Sequence, residues 1–252
     1  MRLISISLVL AGWLLVCAPA RAQVPESGRW QDFSFAAEEV DSRMEDRYIE
    51  QVVELAAAGK LDEERRLLQR LRRISAGIIR AAITMKPEAA QWQWEVHVTS
   101  DPEVDAYCMA GGKILVGSAF VRQLALNDGE LATLLGHEVA HAVAEHHRET
   151  LSEALLFNRH PVVPLDVLME RLDTDLSLQI RLEGLSSLQE SEADQLGMVL
   201  AHRAGWPSSA MVSFYRKLAA TEQASLMAAD HPSAASRLSM AKGMALLFAA
   251  RP

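Results

Sequence analysis

Between Phe35 and Met85 apolar residues recur at spacings of three and four, most clearly at Leu61, Leu67, Leu68, Leu71, Ile74 and Ile78. That period predicts helices, with a break at Ala58-Gly59-Lys60. Past Pro87 the period changes to two: Trp92, Trp94, Val96 and Val98 alternate with polar residues, and Ala106-Tyr107-Cys108-Met109 and Lys113-Ile114-Leu115-Val116 flank Ala110-Gly111-Gly112. A small sheet containing a hairpin turned at Gly-Gly is expected there. From Ser118 onward helical spacing returns, interrupted at Pro161, Pro164, Gly205-Trp206-Pro207 and His231-Pro232. Residues 23–32 are polar, with Pro25 and Gly28, and read as an N-terminal tail. The pattern therefore predicts a mainly α chain with a small β-sheet, an α+β fold. Its expected divisions are a helical N-terminal extension over 23–74, one domain of catalytic size over 75–245 and a short C-terminal end over 246–252.

The first 22 residues follow another logic. Met1-Arg2, an uncharged apolar run from Leu3 to Ala18, and Pro19-Ala20-Arg21-Ala22 match the n-region, h-region and A-x-A site of a secretory signal peptide, cut after Ala22. An uncleaved signal anchor is the competing reading, because the run approaches the length of a bilayer span. No second apolar stretch of that length follows, so no stable transmembrane span is expected after cleavage. The expected location is periplasmic or secreted.

Composition narrows the function classes. A chain of 252 residues, 50% hydrophobic and 23% charged, is long enough to bury a core and excludes collagen-like, disordered and multi-span classes. Its formal charge is −8, and −10 once Arg2 and Arg21 are removed, which argues against a nucleic-acid partner. Of the two cysteines, Cys17 falls in the signal segment. Cys108 alone can form neither an internal disulfide nor a thiolate cluster, so any metal must be held by histidine and carboxylate. Arg65, Arg66, Arg70, Arg72 and Arg73 read as a solvated helix face.

The chemistry concentrates in the stretch after Asn127. Asn127 or Asp128 can cap a helix whose apolar residues predict burial, and that helix carries His137-Glu138-Val139-Ala140-His141. Two histidines four apart share a helix face, so both imidazoles can meet one ion at about 2.0–2.1 Å. Glu138 projects beside them, placed to take a proton from an activated water. Downstream, Glu190 and Asp194 are likewise four apart on an expected helix. Glu190 can complete the ligand set while Asp194 supports a ligand imidazole through its second nitrogen. Glu192, about 200° around the helix from Glu190, is expected to be exposed. Two histidines and a glutamate leave a fourth position open, the arrangement of catalytic zinc, here one Zn2+ per chain.

These residues resemble the gluzincin metallopeptidases of the HtpX, Oma and CAAX-prenyl-protease type. The resemblance rests on five ordered elements spanning roughly residues 75–245: Asp105 to Ile114 with its Gly-Gly pair, His137 to His141 followed by His146, Glu190-Ser191-Glu192-Ala193-Asp194 with Gly197, Ala204-Gly205-Trp206-Pro207, and His231-Pro232-Ser233 with Arg237-Leu238. Asp105, Ala110, Glu145 and Ser187 depart from the usual residues, but none of them is a ligand or the base. The resemblance implies a zincin-like fold and zinc-dependent endopeptidase action in the exported branch of the family. It assigns Glu138 as general base, and His231 as oxyanion donor with Arg237 near it. His231 has a second reading, as a plug on the open zinc position. His146, Gly111 and Gly112 are supporting or substrate-contacting candidates, and the strand after Tyr107 could pair with an extended polypeptide. The implied substrates are unfolded or misassembled envelope proteins. A zinc-holding, chaperone-like binding module with blocked activity, and a purely structural helical protein, are the competing functions.

Overall fold

The computed structural model describes residues 20–158, 163–222 and 233–250. Helix α1 (Ala37–Ala57) and helix α2 (Arg65–Met85) occupy the first helical stretch. The stripe on α2 is buried as its spacing requires: Leu68, Leu71, Ile74, Ile78 and Ala82 all face the core, and the helix runs unbroken through residues 74 and 75. A short 3-10 turn, Pro87–Gln91, leads into strands β3 (Glu95–Thr99), β4 (Ala106–Met109) and β5 (Lys113–Gly117). Strand β5 is central, parallel to β3 and antiparallel to β4, so β4 forms one edge. The Gly-Gly turn was legible, whereas the parallel pairing of β3 with β5 was not.

Gly111 (φ 78°) and Gly112 (φ 85°) turn the β4–β5 hairpin through the left-handed region. Gly112 also lies against the Trp94 ring, which a Cβ would approach to 2.7 Å. Alternation along the strands gives the sheet two buried faces. Val96, Val98, Cys108, Ile114 and Val116 join the main core with α2 and the later helices. On the other face Leu115 and Tyr107 meet α1, whose buried Tyr48 donates to the Ile114 carbonyl at 3.3 Å. Buried Lys113 ties the layers together through Glu45 of α1 at 2.9 Å and Glu95 of β3 at 2.7 Å.

The remaining helices are α3 (Ser118–Gln123), α4 (Asp128–Val143), α5 (His146–Leu156), α6 (Leu165–Thr174), α7 (Leu176–Arg203), α8 (Ser208–Glu222) and α9 (Ala234–Ala250). Between α4 and α5 the chain turns on a single left-handed residue, Glu145 (φ 54°). Lys86 at 3.2 Å and Arg148 at 3.1 Å hold its carboxylate. No described helix is long and apolar enough to cross a membrane.

The tail expected over residues 23–32 is overturned. Those residues belong to a hairpin of β1 (Ala20–Gln23) and β2 (Trp30–Phe33), whose first strand takes in the last three residues of the expected signal segment. Its Val24 and Phe33 are buried, and the buried Gln31 amide is satisfied by the Ala144 carbonyl and Glu149, each at 2.9 Å. The polar composition that suggested a tail is what this hairpin uses to dock. Residues 1–19, which hold most of the expected signal segment, lie outside the described residues.

Candidate metal centre

Helix α4 starts on a capping box: the Asn127 side chain accepts from the Glu130 amide at 3.0 Å, and Glu130 accepts from the Asn127 amide at 2.8 Å. Arg70, and Arg73 at 2.6 Å, grip Asp128 in its first turn. Two of the α2 arginines expected to form a solvated face thus dock the end of α4. Almost every residue of α4 is buried, so the two histidines of its last turns are held in a fixed frame. Helix α7 crosses it where Gly136 meets Gly197, and this close approach carries Glu190 and Asp194 up to the histidines.

His137, His141 and Glu190 converge, with one ligand atom from each within 4.8 Å of the others. The Nε2 atoms of His137 and His141 are 3.2 Å apart, and Glu190 oxygens lie 3.5 Å and 3.3 Å from them. His137 Nδ1 lies 2.9 Å from Asp194 Oδ1, off the axis along which the ring N–H would donate. Asp194 is itself clamped, accepting from Tyr215 at 2.9 Å and from Arg237 of α9 at 2.8 and 2.6 Å. Both of these Arg237 bonds go to the one carboxylate, which places Arg237 behind His137.

Electrostatics fit a cation between these side chains. Burial alone would keep His137 neutral, but Asp194, Glu190 and Glu138 outweigh it and push the imidazole up to about 10. For His141 burial prevails over Glu190, and with His137 and His146 beside it the ring is pushed down to about 3. A negative cluster that forces a proton onto one of two facing imidazoles suits a divalent ion, and the nitrogen and oxygen donors match zinc. Glu138 is half-buried next to the two histidines. Burial, and then the Glu138 charge, push the Cys108 thiol of β4 up, so the carboxylate sits near the edge strand.

The back of the centre differs from the sequence expectation. His146 is buried, and its Nδ1 lies 3.0 Å from Nδ1 of His141. Glu192 is buried, not exposed, because the β1–β2 hairpin covers that side of α7. There it accepts from Arg29 Nε and Nη2, each at 2.8 Å, and from the Ser27 hydroxyl at 3.1 Å. Arg29 also pairs with Glu149 of α5, which Gln189 holds at 2.9 Å. Burial resists the Glu192 charge, but His146 and Arg29 prevail and draw its carboxyl down to about 2. Neither Arg29 nor Tyr215 was singled out in the sequence; the alternating Trp30-Gln31-Asp32-Phe33 was the one local signal for the hairpin.

Gly111 and Gly112 sit in the β4–β5 turn, where Gly111 faces Asp41 of α1. Gly111 lines a cleft of about 730 Å³, together with Asp41, Lys86, Trp92, Lys113 and Glu145, that does not include His137, His141 or Glu190. Burial and then Glu145 push Asp41 up to about 6. His231 lies outside the described residues.

The profile of Peptidase family M48 matches residues 65–245. Among individual proteins, the chain is 35% identical over 125 residues to the mitochondrial metalloendopeptidase OMA1 of Arabidopsis thaliana, covering 50% of this chain and 26% of that one. It is 29% identical over 167 residues to the beta-barrel assembly-enhancing protease of Yersinia pestis, covering 59% and 34%. With the metalloprotease LoiP of Escherichia coli K12 the identity is 28% over 152 residues, covering 57% and 59%. In each case the match spans less than two thirds of the relative's own length.

Proposed function

The chain belongs to peptidase family M48, and from that premise we propose that it is an exported zinc metalloendopeptidase acting on unfolded or misassembled envelope or secreted proteins. The observation that carries this reading is the convergence of His137, His141 and Glu190 within 4.8 Å, with Glu138 beside them. These three would hold the ion, which when bound polarises the scissile carbonyl and the attacking water. Glu138 takes the proton of that water on its carboxylate and returns it to the leaving amine. Asp194 orients His137 while Arg237 and Tyr215 hold Asp194 in place. His231, as the resemblance assigns it, supplies the donor to the tetrahedral oxyanion.

An extended polypeptide laid along β4 would be bound through its main chain, with little demand on side-chain sequence. The edge position of β4 and its closeness to Glu138 support that mode, and low sequence demand suits a quality-control substrate. Relatives whose names specify a metalloendopeptidase and a beta-barrel assembly-enhancing protease favour the same class. Export rests on the signal pattern of residues 1–22; cleavage after Ala22 leaves β2 and Arg29 in the mature chain. The test is cleavage of unfolded casein by the full chain and by Glu138→Gln, each with its zinc content measured. Cleavage that disappears in a zinc-holding Glu138→Gln supports the reading. Equal inertness of two zinc-holding proteins overturns it.

A further inference from the structure

The two histidines of the α4 motif are supported from opposite ends of the chain. Behind His137 stands Asp194, fixed by Arg237 near the C-terminus. Behind His141 stands a longer connection. Its Nε2 faces Glu190 and His137, so its Nδ1 is the nitrogen left for support, and that atom lies 3.0 Å from Nδ1 of His146. With the proton of His141 on Nδ1, His146 accepts there and carries its own proton on Nε2. That Nε2 is buried and without a hydrogen-bond partner among the described groups, and Glu192 Oε2 stands 3.4 Å from it, close enough to receive its proton once the two are aligned. Glu192 is gripped by Arg29 through Nε and Nη2, each at 2.8 Å. Every donor in the series faces an acceptor, ending on a guanidinium that only donates.

We propose that Arg29 is a positioning residue of the metal centre, fixing Glu192 and, through Glu192 and His146, the imidazole of His141. Arg29 lies outside residues 65–245, so the family match does not supply it. Its planar fork is suited to the task. One guanidinium bridges two buried carboxylates, Glu149 on α5, the helix that His146 begins, and Glu192 on α7. Without it the two carboxylates share a buried site uncompensated, and Glu192 loses the partner that sets its orientation. The segment over residues 27–33, which carries Arg29 and remains after cleavage at Ala22, is on this account a working part of the metal centre.

This inference rests on His141 being a zinc ligand. Its test compares zinc affinity, by competition with a chelator, and the visible spectrum of the cobalt-loaded protein, in full-length wild type, Arg29→Ala, Glu192→Gln, the double variant and Val24→Ala. Arg29→Ala and Glu192→Gln should each weaken zinc binding about 10-fold and shift the cobalt bands, and the double variant should be no weaker than either. Val24→Ala removes a buried apolar anchor of the β1–β2 hairpin, one with no part in the carboxylate network, and should lower the melting temperature while leaving zinc affinity and spectrum unchanged. Arg29→Ala with wild-type affinity and spectrum, and only a lower melting temperature, overturns the proposal. So does wild-type zinc affinity in the near-isosteric Glu192→Gln, which decides the matter even if Arg29→Ala fails to fold. A wild type that holds no zinc defeats the metal centre and this proposal together; a zinc-holding wild type with indifferent variants defeats only the role of Arg29.

Discussion

Gly136 and Gly197 meet backbone to backbone where α4 crosses α7. A Cβ on Gly136 would stand 2.5 Å from the Gly197 carbonyl oxygen, and one on Gly197 would stand 2.5 Å from the His137 nitrogen. Neither helix can yield locally, since both are packed into the same core. Gly197→Ala should therefore push the helices apart, separating His137 from Glu190. Overpacking of this kind costs about 1–3 kcal/mol, which lowers the melting temperature by roughly 2–10 °C in a chain of this size. Thermal unfolding and chelator competition should both register the change, and a wild-type value in both would show that the crossing tolerates a methyl group.

Zinc should stabilise the fold as well as supply chemistry. A ligand at 100 times its Kd stabilises the state that binds it by about 2.7 kcal/mol, so zinc added to chelator-treated protein should raise the melting temperature by roughly 5–10 °C. Glu190→Gln and His141→Ala should each remove most of that rise.

Asp194 and Arg237 form a pair with side chains only 2% and 7% exposed. Breaking such a pair from one side leaves an uncompensated buried charge, at about 3–5 kcal/mol. Chemical unfolding of Asp194→Asn should show a loss of that size. Adding Arg237→Met should recover part of the stability, because the orphaned guanidinium is gone. Zinc affinity should stay low in both variants, since His137 has lost its carboxylate either way.

His147 gives the metal-free protein a stability that falls with acid. Burial first, then His146 and Arg47, push its imidazole down from 6.5 to about 4; the residue is half-buried by area, but its Nδ1 is enclosed and has no hydrogen-bond partner among the described residues. A histidine with a depressed folded value is neutral in both states at high pH. Below about 6.5 the unfolded chain takes up a proton that the folded one refuses, so stability declines until about pH 4. Unfolding curves between pH 4 and 7 should show a shallower decline in His147→Gln. An identical slope would mean that the ring is charged in the folded protein.

The motif helix was legible because its information is local: cap, apolar run and the His137–His141 spacing all fall within one stretch of chain. Glu190 and Asp194 could be paired with it through helical spacing and family resemblance. The hairpin at Gly111-Gly112 was announced by the glycine pair between two strand-like stretches. Arg29 and Glu192 were out of reach for the opposite reason. They lie 163 residues apart, and helical geometry gave only the direction of Glu192 relative to Glu190. That direction was outward, but outward on α7 is covered by the β1–β2 hairpin, and no spacing rule predicts which distant segment covers a helix. Parallel pairing of β3 with β5 is non-local in the same way. Tyr215 on α8 joined Asp194 with no signal along the chain at all.

The most direct test of the account is the metal content of the full chain purified without chelator, compared with Glu190→Gln. The account predicts one zinc per chain in the wild type and a marked loss in the variant, with the fold retained. A folded wild type carrying no stoichiometric zinc, or a variant that keeps it, would contradict the assignment of His137, His141 and Glu190 as the metal centre.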